Sequence, residues 1–146
     1  MMFLRNIRLP LLFFIFFLFF LRVYGQAMVG IYQLDWLPTM EEWYSGIIPY
    51  PILFCSQLLI LCLLFLMCID AKYLLMPISL SNKLGKSVLL FSYIYGFVMV
   101  MRYLLTMWFF PEKRWLIGTI PIFMHIGLAI FLMTWVRLKQ SQHERW

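Results

Sequence analysis

The chain has few acids and places none of them inside an apolar run. Among 146 residues there are six Asp and Glu, at positions 35, 41, 42, 70, 112 and 144. Charged residues of both signs make up only 12% of the sequence. A soluble domain carries about a quarter, so this chain lacks the polar surface that water requires. The absence of intramembrane acids excludes proton-coupled antiport through a buried carboxylate. It also excludes lipid transfer at an acid-bound metal. Histidine is equally scarce. Only His125 lies in an apolar stretch, whereas a b-type haem needs two axial ligands. Cysteine occurs three times, at Cys55, Cys62 and Cys68, with spacings of seven and six and no C-x-x-C pair. That rules out a dithiol quinone oxidoreductase and leaves three small side chains facing lipid or core. No lysine falls within a span, as a retinal Schiff base would need. The Arg- and Glu-bearing second helix of the glutathione-linked four-helix family has no counterpart in "PILFCSQLLILCLLFL". These absences leave no cofactor or metal to expect.

What remains is 64% hydrophobic and 20% aromatic. A membrane-spanning helix needs about 20 apolar residues, and the length accommodates four. No alternating ten-residue pattern suggests a barrel, so the expected fold is an all-α integral membrane bundle of four transmembrane helices. The spans are expected at about 9–31, 47–69, 87–110 and 115–136, in one membrane domain covering 1–146. An external loop is expected at 32–46 and a cationic cytoplasmic tail at 137–146.

The first segment has two readings. "LPLLFFIFFLFFL", Leu9 to Leu21, follows Arg5 and Arg8 and precedes small Gly25, as in a secretory signal whose removal would leave three spans. Arg22 interrupts that pattern, and apolar residues resume at "AMVGIY". The favoured reading is a retained helix reaching toward Tyr32, with Arg22 snorkelling outward. In the second span Pro49 and Pro51 fall in the first turn, where a missing N–H is harmless. In the fourth, Pro121 implies a kink, or a true start with Thr119 as N-cap.

The net charge of +6 has a local explanation that needs no nucleic acid. One side collects Arg5, Arg8, Lys72, Lys83, Lys86, Arg137, Lys139 and Arg145; the other has Arg22, Lys113 and Arg114. By the positive-inside rule both termini face the cytoplasm, in a bacterial inner membrane or its equivalent. Asp70 and Lys72 read as solvated interface at an inner helix end.

The exception is Arg102, a permanent charge inside "VMVMRYLLTMWFF". Such a group costs a few kcal/mol at mid-bilayer and cannot deprotonate. A hairpin of spans three and four with its tip near Lys113 and Arg114 puts Arg102 and His125 at matching height, about 15 Å below the outer surface at 1.5 Å per residue. Gln57 falls at similar depth. Tyr95, Met99 and Thr106 share the Arg102 stripe. Gly118, Pro121 and Ala129 share that of His125 and permit close approach. Glu41 and Glu42 would gate the layer from outside.

Two functions are therefore expected. The first is a non-catalytic subunit or scaffold of a larger membrane complex, associating with other membrane subunits or with itself. The second is binding or transport of an amphipathic ligand (a quinone, an anionic lipid or a lipid-linked precursor), with Arg102 holding the headgroup and His125 and Gln57 orienting it. With no nucleophile–base pair, the reading leans away from an enzyme. The bland alternative is that Arg102 snorkels to lipid headgroups while His125 and Gln57 serve as helix-packing groups.

Overall fold

A computed structural model describes residues 2–32, 36–37, 49–73, 83–109 and 120–143. Four α-helices are present: α1 (Met2–Tyr32), α2 (Tyr50–Tyr73), α3 (Lys83–Phe109) and α4 (Ile120–His143). Within them, Ile7–Tyr32, Tyr50–Tyr73, Lys83–Phe109 and Ile120–Gln140 are long and apolar enough to cross a membrane. Each is 21 residues or longer, which exceeds the roughly 20 that a bilayer core requires.

α1 is one continuous helix through the segment that also reads as a signal, and it packs on both α2 and α4. The first bond of α2 runs from the Leu53 N–H to the Pro49 carbonyl at 3.1 Å. The two prolines therefore sit where no helical donor is lost. α4 starts at Ile120, so Pro121 occupies its first turn and no mid-helix kink is needed. Residues 110–119, with Thr119, Lys113, Arg114 and Gly118, lie outside the described residues, as do Glu41 and Glu42 of the expected external loop. Where the sequence suggested a tail from 137, α4 instead continues, and Leu138 and Lys139 are buried.

The core is built by three of the four helices. α1 contributes Leu12, Ile15, Phe19 and Val23; α2 contributes Leu64, Cys68 and Ala71; α4 contributes Phe131, Trp135, Val136 and Leu138. Cys68 is buried while Cys55 and Cys62 are exposed, and all three are free thiols. α1 runs antiparallel to α2, and α3 to α4. Phe16 and Gln26 of α1 meet Phe65 and Gln57 of α2 in opposite order. Gly96 and Tyr103 of α3 likewise meet Ala129 and Phe123 of α4.

α3 stands apart. Among the described elements it packs on α4 alone and supplies no fully buried apolar side chain. Its approach to α4 depends on Gly96, where an added methyl carbon would lie 3.3 Å from the Ala129 Cβ. Only 11% of its apolar window is buried, against 39% for α4. α4 is thus the helix on which the others assemble.

Candidate functional site

The distribution of polarity is inverted relative to a water-soluble protein. Arg22, Gln26, Gln57, Asp70, Ser92, Thr134 and Lys139 are buried, while Phe14, Phe17, Leu59, Phe97 and Leu104 are exposed. Burying a polar group is costly unless it finds a partner, and an apolar exterior is costly only in water. The arrangement suits a chain surrounded by hydrocarbon.

Interior polar groups connect one helix to the next. Toward the Tyr32 end of α1, Gln57 Nε2 donates to Gln26 Oε1 at 3.0 Å, with both side chains almost fully buried. Gln26 Nε2 and Gln57 Oε1 each keep capacity unused by a hydrogen bond. Arg22 lies one turn before Gln26 on the same face, buried at 8% exposure. It was expected to snorkel outward. It does not, because it falls in the same 3–4 spaced seam as Leu12, Ile15, Phe19, Gln26 and Val29, all of which face the bundle. That spacing is the sequence signal that places Arg22 and Gln26 on the buried face.

Between α3 and α4, the Tyr95 hydroxyl and His125 Nδ1 share a short hydrogen bond, and their rings meet edge to face at 5.9 Å and 87°.

At the opposite end, α4 holds each of the other helices. Lys139 Nζ lies 2.7 and 2.6 Å from the two Asp70 carboxylate oxygens of α2, with both side chains 3% exposed. The Arg137 carbonyl accepts from Arg8 Nη1 of α1 at 3.1 Å. The Arg137 guanidinium donates to the Tyr93 hydroxyl of α3 and lies over the same ring. Asp70 is therefore not solvated interface: it is the buried acid that neutralises Lys139. The sequence reading, counting Lys139 only as a positive-inside charge, had no reason to pair them across 69 residues.

Arg102 is exposed on α3. The α3–α4 pairs Tyr103–Phe123 and Gly96–Ala129 bring it level with His125, but its side chain turns away from the bundle. Its guanidinium makes no hydrogen bond or ion pair with a described residue. Thr106, one turn on, donates to the Arg102 carbonyl at 2.8 Å, so its hydroxyl is spent on its own helix. Of the expected layer, the structure joins Tyr95 with His125 and Arg102 with Thr106, and it gives Gln57 to Gln26. Arg102, His125 and Gln57 do not form one bonded group. A groove of about 410 Å³ runs along α3 past Arg102. Among the described residues, no group of three His, Cys, Asp or Glu side chains could hold a metal ion.

No protein-family model matches this chain, and neither the curated proteins nor the solved structures yield a match.

Proposed function

We propose that the protein is an integral membrane scaffold, a non-catalytic subunit that holds other transmembrane helices on its α3 side. The observation that carries this reading is the position of α3. Among the described elements it has one neighbour; it buries no large apolar side chain and leaves the charged Arg102 exposed on an apolar helix. The interior supports the same reading. Gln26–Gln57, Tyr95–His125 and Asp70–Lys139 are helix-to-helix clamps, and groups committed to one another in this way are poorly placed to process a substrate. In this reading both termini lie on the cytoplasmic side of a bacterial inner membrane or its equivalent, following the excess of Lys and Arg at that end.

Cross-linking in intact membranes, followed by extraction in mild detergent and native mass spectrometry, tests the proposal. The expected result is a discrete assembly in which the 17.7 kDa chain keeps a fixed ratio to other subunits. Recovery of the chain only as a lone species would refute it. The groove beside Arg102 favours one alternative, an amphipathic ligand whose anionic headgroup meets the guanidinium. A stoichiometric quinone or anionic lipid that disappears in Arg102→Leu would support that alternative instead.

A further inference from the structure

Resting on the scaffold reading, we infer that the groove on α3 receives a transmembrane helix of another protein that carries a carboxylate at the level of Arg102. The groove is bounded by two rows of side chains, each spaced by four. One is Phe97, Met101, Leu105 and Phe109; the other is Val98, Arg102 and Thr106. Rows of this spacing are the ridges of a helix surface, and the furrow between two of them is where a ridge of a second helix settles. The shape is that of a helix seat.

The chemistry selects the occupant. Arg102 is exposed, carries a guanidinium, and is answered by no described residue. It lies seven residues before the end of α3, about 10 Å along the axis at 1.5 Å per residue. Side chains line the groove on both sides of it along that axis: Phe97, Val98 and Met101 toward one end, Leu105, Phe109 and the single hydroxyl of Thr106 toward the other. A lipid headgroup needs a polar route to the interface on its outward side; Leu105 and Phe109 fill most of that route, and the Thr106 hydroxyl on it is already bonded to the Arg102 carbonyl. A helix–helix contact with one polar pair in a mostly apolar seam has the observed layout. Among the described residues, a second copy of this chain supplies no acid to this groove. Asp70 is the sole carboxylate among the described helical residues whose side chains are placed, and it is buried against Lys139.

The test uses three synthetic transmembrane peptides of polyleucine carrying one central Glu, Gln or Leu. Their association with the full-length labelled protein is read by energy transfer in phosphatidylcholine vesicles. The Glu peptide is expected to bind about tenfold tighter than the Leu peptide, the scale of a polar contact between helices in lipid. Arg102→Leu should remove that difference and Arg102→Lys should keep most of it. Arg102→Glu should invert the preference toward a peptide with a central Lys, a gain that a misfolded variant would not show. Equal binding of the Glu and Leu peptides, or a preference that survives Arg102→Leu, overturns the inference. So does native mass spectrometry that finds an Arg102-dependent phosphatidylglycerol displacing the Glu peptide. The two proposals fail separately. A fixed assembly that persists in Arg102→Leu without change leaves the scaffold and removes the acid-bearing seat. Selective Glu-peptide binding by a chain that is solitary in its own membrane does the reverse.

Discussion

Gln57 of α2 and Gln26 of α1 meet through a single amide hydrogen bond of 3.0 Å in the interior of the bundle. Each amide has further capacity that no hydrogen bond fills. Interhelical bonds of this kind in lipid are worth about 0.6 kcal/mol on average. Gln57→Leu alone should destabilise the protein by more than that, about 1–2 kcal/mol, because it strands the Gln26 amide as well as removing the bond. Gln26→Leu combined with Gln57→Leu should recover most of the loss. A double-mutant cycle on unfolding in mixed SDS micelles measures the coupling, and strictly additive losses would contradict the pairing.

Asp70 and Lys139 form the buried ion pair between α2 and α4. Removing one member leaves the other charge without compensation, at a cost of about 3–5 kcal/mol. Asp70→Asn and Lys139→Met should each lower the unfolding midpoint sharply, and Asp70→Leu with Lys139→Met should restore it. Because both side chains are shielded from solvent, added salt should change these differences little. A strong salt dependence would place the pair at the surface.

Gly96 and Gly127 should respond differently to the same change. A methyl carbon on Gly96 would meet the Ala129 Cβ at 3.3 Å, an atom fixed to the helix backbone that cannot rotate aside. A methyl carbon on Gly127 would meet only the end of Ile15 at 3.8 Å, an ordinary contact. Gly127→Ala is expected to be neutral or slightly stabilising, since Ala favours a helix by about 0.8–1 kcal/mol. Gly96→Ala should show little or none of that gain, and Gly96→Leu should drive α3 from α4. Thermal unfolding in detergent ranks the three.

Tyr95→Phe keeps the ring that meets His125 edge to face and deletes the hydroxyl that bonds it. The expected cost is about 1 kcal/mol, concentrated on α3 because α3 has no other helix to hold it. Amide hydrogen exchange should accelerate in α3 while α1 and α2 keep their protection. Uniform acceleration across the bundle would argue against a local tie.

Positions along the helix axes were legible before any coordinates. The expected spans 47–69 and 87–110 overlap almost entirely with α2 and α3, which run 50–73 and 83–109. Apolar length alone sets where a chain can cross a bilayer. The height of a side chain was legible for the same reason: rise per residue is constant, so an antiparallel hairpin brings Arg102 level with His125. Rotation about the axis was not. Arg22 and Arg102 are both single arginines in long apolar runs; the first was expected to snorkel outward, the second either to join an interior polar layer or to snorkel to headgroups, and the structure buries Arg22 and exposes Arg102. A helix that is apolar all round offers no polar face to mark its outside, so the usual cue to orientation is missing.

The amino-acid sequence by itself determined that this chain forms long apolar helices and that its six acids lie outside the unbroken apolar runs. Local composition and helix geometry decide those matters residue by residue. Tertiary structure alone decided which polar groups meet. Gln26 reaches Gln57 across 31 residues and Lys139 reaches Asp70 across 69, because each helix turns toward its neighbours the face on which small side chains and complementary polar atoms allow the closest packing. That choice is made jointly by several helices, so no one segment contains it.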